Sequence, residues 1–422
     1  MRTEKRNAFL SGLCVVAVAL GMLATSAYGD ANTEKGSSIL AFPKVLANDG
    51  SDTLIQITNI SNNMVHARCF YVNAAPDQFG NPQWQVTDFL IWLTKQQPTH
   101  WQVSEGRFFD PSDTCDTNNM GQFEPDSDCA NAGIDPGAIP PVPSNFIGEL
   151  KCVEVDVSDN PIAGNHLKGE ATIFTNGDAA KYNAIGLMGY ADAGSTGDEL
   201  LLNHPLGADN SVGEYDACPN VLLMNQFTEG STDPVILGDL LGGTCSNDAD
   251  KACQADSDCG DGNTCNNGPQ ILDPATHTVA LRSATLTDIT LVPCTEDFEN
   301  LTTATTQIRI QVQIFNEFEE QFTTSFPVTC FLNKFLFQLD SPFNPNQSIF
   351  SFARLGTTVA HTRLIPVTGS VFGVVGTTRA DASGNLARVA DNLHMEGDRF
   401  TGGSGVPGFT DVITLSGTGL PQ

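Results

Sequence analysis

Basic residues are scarce in this sequence. The 422-residue chain carries 20 lysines and arginines against 49 aspartates and glutamates, a formal net charge of −29. A surface of that sign repels phosphate backbones, which argues against nucleic acid as a partner and favours divalent cations and basic surfaces. Charge of either sign is itself sparse, at 16% of residues against 40% hydrophobic. That balance excludes a disordered acidic chain.

The catalytic signatures are missing too. Seven histidines are scattered, with no HExxH and no close pair at metal-ligand spacing. There is no G-x-S-x-G elbow, because "GGSG" at Gly402–Gly405 reads as a flexible turn. Phosphate loops and dinucleotide fingerprints are likewise absent, and no catalytic residue is assigned. Helical periodicity is rare: "NVLLMNQF" (Asn220–Phe227) is ambiguous, and "TEDFENL" near Asp297 suggests a short helical turn.

One long apolar run exists, and it lies at the start. Residues 1–29 combine a basic beginning (Arg2, Lys5, Arg6), an apolar stretch from about Ala8 to Leu23 and a small-x-small ending, Ala27-Tyr28-Gly29. This is the pattern of a signal peptide cleaved after Gly29. No later stretch is apolar enough to span a bilayer. The expected mature protein is exported: secreted, periplasmic or on the cell surface, without a membrane span.

Period-two alternation dominates the rest. "TLIQITNI" (Thr53–Ile60), "TQIRIQVQIF" (Thr306–Phe315), "FIGELKCVEVDV", "HLKGEATIFT", "HTVALRSATLTDITLV" and "HTRLIPVTGSVFGVV" place β-branched and aromatic residues between Gly, Asn, Asp and Pro breakers. Such strands bury one face and wet the other, as antiparallel sandwiches do. The expected fold is all-β: two antiparallel β-sandwich domains with disulfide-stapled loop insertions. The first spans 30–205 with a Cys/Pro-rich loop at 108–144. A linker follows over 206–269 with an Asp/Cys-rich loop at 245–265, and the second sandwich spans 270–422. A weak internal echo, with D-x-S-x-N turns at Asp156-Ser158-Asn160 and Asp381-Ser383-Asn385, suggests duplication.

In an oxidising compartment thiols pair. Twelve cysteines are present, and Cys14 leaves with the leader, so an odd number remains. The expected pairs are Cys69–Cys152 in the first sandwich, Cys115–Cys129 in its loop and Cys294–Cys330 in the second, with Cys218 left over. "CSNDADKACQADSDCGDGNTC" holds Cys245, Cys253, Cys259 and Cys265, whose gaps of seven, five and five residues do not suit a zinc knuckle. It reads as a disulfide framework with three open connectivities. Asp248, Asp250, Asp256, Asp258 and Asp261 are candidate calcium ligands, out of register with an EF-hand loop, against the plainer reading of a solvated acidic loop. Calcium is therefore the one candidate cofactor.

Three features bear on function. Glu149 lies on one face of its strand and Glu154 and Asp156 on the other, while "NEFEEQF" offers Glu317, Glu319 and Glu320; paired acids of this kind serve glycoside hydrolysis. All three tryptophans, Trp84, Trp92 and Trp101, fall in one stretch. Trp92 reads as packing and Trp101 as the surface candidate for stacking a sugar. "FLIWL" and "KFLFQL" would be adhesive on a bare sheet edge, a route to self-association.

Across "DTLIQITNISNNMVHARCFYVN", "LTKQQPTHWQVSEG" and "FIGELKCVEVDV" the chain resembles exported bacterial proteins with immunoglobulin-like β-sandwich domains. That resemblance implies a fold and a compartment, not an activity. The expected function is that of a non-enzymatic structural, binding or adhesion protein of the cell surface or envelope, with a protein or glycan as partner. The alternative is a secreted hydrolase acting on polysaccharide through paired carboxylates.

Overall fold

A computed structural model describes residues 31–48, 50–76, 82–108, 135–175, 178–190, 199–202, 214–228, 243–246, 248–253, 260, 262–266, 285–299, 307–341, 347–380, 386–398 and 411–415. Their regular structure is almost entirely strand, joined antiparallel with one short parallel exception. The first sheet contains β1 (Ile39–Asn48), β2 (Ser51–Asn59), β3 (Val65–Asn73), β4 (Gln85–Leu93), β5 (Pro98–Gln102), β6 (Phe146–Val155), β7 (Leu167–Thr175), β8 (Asp178–Asn183) and β9 (Ile185–Leu187).

This sheet folds on itself at the β1–β2 hairpin. The two strands share only the pairs Ala47↔Asp52 and Asn48↔Ser51, after which β1 pairs with β6 and β9. An outer layer (β5-β2-β7-β8) therefore faces an inner layer (β4-β3-β6-β1-β9). Leu40, Ile57, Tyr71, Ile91, Leu150 and Ile173 meet in the core between them. In β2, buried and part-exposed positions alternate, as the sequence pattern predicts. β3 is buried throughout, and β1 and β6 nearly so, which a single sandwich does not require.

Their second face is covered by another sandwich. Its inner layer is β19 (Leu332–Phe335), β15 (Thr285–Pro293), β21 (Val371–Ala380) and β22 (Leu386–Asn392), in that order. The outer layer runs β18 (Gln321–Thr329), β17 (Gln307–Asn316), β20 (Val359–Pro366), β11 (Pro219–Phe227) and β23 (His394–Asp398). Ile289, Ile310, Val312, Leu222, Leu364 and Phe350 form the core between these two layers. The opposite face of β15 carries Val292, which joins Ile39, Phe70, Val153 and Phe372 in a third apolar cluster between the sandwiches. Four β-layers are thus stacked, with β1, β3, β6, β15 and most of β21 in the middle two covered on both sides, while β4 and β22 at their margins are partly exposed and Asn392 of β22 donates to Asn183 O of β8. A small sheet of β10 (Glu199–Leu201), β24 (Val412–Thr414) and β16 (Glu296–Asp297) flanks this junction.

Several expectations are corrected here. "NVLLMNQF" is strand β11, set between β20 and β23, so part of the segment read as linker belongs to the second sandwich. The alternation of its apolar residues is completed by strand neighbours on both sides. "TEDFENL" contributes β16 rather than a helical turn, because Glu296 and Asp297 pair with β24. The apolar side chains of both adhesive segments are largely buried. β4 is an edge strand, but Phe89, Ile91, Trp92 and Leu93 are buried, and the Trp92 N–H donates to Pro136 O at 3.0 Å. "KFLFQL" ends β19 and turns into a single 3-10 turn with Phe335, Leu336 and Phe337 buried.

Two disulfides brace the described residues. Cys69 and Cys152 are opposite each other on β3 and β6. Because both strands belong to one layer, this is not the inter-sheet bond of antibody domains. The second bond joins Cys218 to Cys294, not Cys294 to Cys330. The reason is the facing of β15: Cys294 follows Val292 into the inter-sandwich cluster, where Cys218 waits ahead of β11. Cys218 is therefore not a leftover thiol. Cys115 and Cys129, Cys259, the leader, and Asp256, Asp258 and Asp261 lie outside the described residues. β12 (Gly243–Cys245), β13 (Asp248–Cys253) and β14 (Cys265–Asn266) form a small sheet whose backbone register sets Cys245 opposite Cys265 and Gly243 opposite Cys253. For Asp248 and Asp250 only that backbone is described. Among the described residues no helix is long and apolar enough to cross a membrane, and no group of His, Cys, Asp and Glu is arranged to hold a metal ion.

Candidate functional site

Two places gather polar chemistry: an open groove at one end of the first sandwich, and a buried ionic centre between the sandwiches. The groove forms where the β1–β2 hairpin turns, with Gly50 supplying the positive φ (92°) that the tight connection needs. The end of β7 and the residues before β6 complete a depression of about 450 Å³ lined by Asn48, Ser51, Asp52, Ser104, Asn145 and Phe174, among others. Phe174 is 45% exposed although it sits in a strand. Asp52, its opposite number on β2, is the single titratable side chain among the described residues of the lining. Its carboxylate already accepts hydrogen bonds from Gln102 Nε2 (2.5 Å), the Thr53 N–H (2.8 Å) and Ser104 Oγ. The floor is thus pre-set: Ser51 and Thr175 hydroxyls are joined at 2.9 Å, and Asn145 is held in the left-handed region at φ 64°.

The ionic centre begins with a bulge. Between Phe42 and Val45 the β1 strand carries one residue more than β6 opposite it, and a one-residue slip reverses the side-chain facing. Leu40 and Phe42 point into the first core and Val45 does so again, while Lys44 is turned to the second sandwich. Tyr182 serves the bulge's backbone, accepting from the Lys44 N–H at 3.1 Å and donating to Lys44 O at 2.6 Å. The Lys44 ammonium pairs with Asp288 of β15, both side chains at most 5% exposed. Gly376, opposite Asp288 on β21, makes the room: a Cβ there would lie 2.3 Å from Asp288 Oδ1.

A second pair lies on β6. Lys151 Nζ donates to Glu296 Oε2 and, at 3.1 Å, to Pro293 O, and it sits 3.0 Å from Glu149 Oε2. All three ionisable side chains are no more than 2% exposed. Glu149 is within hydrogen-bonding reach of Lys151 and Glu296 inside this cluster, and neither of its oxygens meets a well-aligned donor outside it. Burial, then the neighbouring charge of Glu296, holds the Glu149 carboxyl well above the usual range. Burial would lower Lys151, but the two glutamates outweigh it and keep the ammonium above the ordinary lysine value. Phe298 stacks on Phe70 at 4.4 Å and lies 5.9 Å from Lys151 Nζ. Beside this centre a cleft of about 210 Å³ is lined by Glu296, Asp297, Cys330, Thr368 and Asp411. Burial, then Glu296 and Glu149, pushes the Cys330 thiol up to about 11.

No family model matches the chain, and no curated protein matches it significantly. The site must therefore be read from its own geometry.

The candidate acids are dispersed. Glu149 is interior, Glu154 is buried against His166 (Nδ1 to Oε1, 2.7 Å), and Asp156 caps its own turn through the N–H groups of Ser158 and Asn160. That turn is the D-x-S-x-N turn expected there. Glu317, Glu319 and Glu320 occupy the exposed β17–β18 turn, with Glu320 accepting from Asn316 Nδ2. Trp101 corrects the sequence reading: it is 2% exposed and its Nε1–H donates to the Tyr71 hydroxyl at 2.5 Å, so it cannot stack a ligand. Alternation put it on the core face of β5, which the proline and histidine beside it concealed. Trp92 is buried as expected and stacks on His66 at 3.7 Å. The groove residues Phe174, Asn145 and Ser104 left no sequence signal beyond an aromatic at an outward position of "HLKGEATIFT". Lys151 left one: an opposite charge two residues from Glu149 shares its strand face.

Proposed function

We propose that this chain is an exported, non-enzymatic binding protein of the cell surface or envelope, and that the groove at the end of its first sandwich takes a hydroxylated ligand, a glycan. The observation that carries this reading is the exposed Phe174 ring set among hydroxyl and amide groups, with the one carboxylate among the described lining residues, Asp52, already committed to Gln102 and Ser104. An aromatic face binds the apolar side of a sugar ring, and fixed short polar groups orient its hydroxyls. A hydrolase of the paired-acid kind needs two carboxyl groups facing each other, and the described residues of this lining hold Asp52 alone. Export is supported by the leader pattern and by two disulfides, which persist outside reducing compartments. The test is a glycan array followed by titration calorimetry with Phe174→Ala and Asn145→Ala. Binding that disappears in both variants supports the reading. Binding unchanged in both, or turnover of any bound glycan, overturns it.

A further inference from the structure

From the arrangement around Lys151 we infer a covalent modification site: the side chains of Lys151 and Glu296 condense into an intramolecular amide bond, with Glu149 carrying the protons. The inference is independent of the groove and of its ligand.

The geometry supplies each part. Nζ of Lys151 is anchored by Pro293 O and by Glu296, which fixes the amine against the carboxyl group that it would attack. Reactants held in this way need no encounter, and effective molarities for such pairs are very high. Glu149 stands 3.0 Å from the same nitrogen on its own strand, fully buried, within hydrogen-bonding reach of both Lys151 and Glu296 and with no well-aligned donor elsewhere. A protonated carboxyl group there has one oxygen to accept a proton and another to give one, which is the requirement for a shuttle. The surroundings are apolar: Phe70, Phe298, Val153 and Val155 belong to the cluster beside it.

The step balances. The resting set is an ammonium, a Glu296 carboxylate and a Glu149 carboxylic acid. A proton passes from Nζ to Glu296, abolishing two opposite charges in a dry interior. The Nζ lone pair then attacks Glu296 Cδ. Glu149 takes a second proton from Nζ and gives its own to the departing hydroxyl, so the Cδ–O bond breaks as the Nζ–Cδ bond is completed. The products are a neutral amide, one water and Glu149 again as the acid. The adjoining cleft, which Glu296 itself lines, gives the water an exit. Burying an ion pair is costly, and its replacement by a neutral amide removes that cost. Lys44 and Asp288 form the internal control: an equally buried pair for which no carboxyl group comparable to Glu149 is seen among the described residues. The bond would join strand β6 of the first sandwich to β16 beside the second.

The experiment is intact mass spectrometry of the purified, reduced and alkylated full chain, followed by fragmentation of its proteolytic peptides. The expected mass is one water below that of the sequence as processed, with a branched peptide joining the Lys151 and Glu296 segments. Glu149→Gln, which keeps the shape of the side chain, and Lys151→Met should each restore the missing water. A wild-type chain at full mass overturns the inference, whatever the variants do. So does a water loss that maps to Lys44 and Asp288, or one that survives Glu149→Gln.

Discussion

Removing the carboxylate of Asp288 should uncouple the two sandwiches in a measurable way. Lys44 is turned into the junction by the β1 bulge and is 4% exposed, so Asp288→Ala leaves an ammonium in an apolar layer with no counter-charge. Breaking a buried pair from one side typically costs about 3–5 kcal/mol. The same principle predicts an opposite outcome for the double replacement Lys44→Met with Asp288→Leu. Both charges then vanish, their desolvation cost goes with them, and stability should fall within about 1 kcal/mol of wild type or exceed it. Urea unfolding followed by tryptophan fluorescence reads both, since Trp92 and Trp101 are buried in the first sandwich. Asp288→Ala within about 0.5 kcal/mol of wild type, the range of ordinary surface substitutions, would refute the buried junction. A double variant as damaged as the single one would show that packing around Gly376, not charge, governs the site.

Other outcomes follow from the same structure. Cys218→Ala should cost about 4–5 kcal/mol by the chain-entropy relation for a sequence separation of 76, and non-reducing peptide mapping should recover a Cys218–Cys294 peptide. His66 is held down to about 4 by burial, so the folded state favours the neutral ring. Its contribution, about 3 kcal/mol, is complete above the unfolded value near 6.5 and is lost as pH falls from there towards 4; His66→Phe should flatten the stability–pH curve in that window. Trp101→Phe leaves the buried Tyr71 hydroxyl without its donor and should cost about 1–3 kcal/mol in the same urea assay.

Strands with one wet face were legible in the sequence, and those with two dry faces were not. β17 reads exposed and buried by turns, and "TQIRIQVQIF" announces it. β1 and β3 are covered on both sides, so their alternation fades, and nothing local distinguishes a second sandwich from solvent. Charged residues misled in the same way. Lys44, Lys151 and Glu149 look like surface positions to a pattern that assigns charge to water, yet each is paired across the junction or along one strand face. Cys294 bonds to Cys218 and not to Cys330, a choice that the order of cysteines along the chain does not encode. The decisive quantity was the facing of β15, set by a strand order that brings β11 in from earlier in the chain. The groove depends on where a hairpin, a strand end and a turn converge, which spacing along the chain does not encode.

Hydrogen exchange, resolved by mass spectrometry into peptides of the four layers, tests the stacked arrangement most directly. Slowest exchange is predicted for β1, β3 and β6 in one sandwich and for β15 and β21 in the other, with β7 and β18 faster. If β6 and β15 instead exchange as quickly as the outer strands, no dry junction joins the two halves, and the account of its buried charges is wrong.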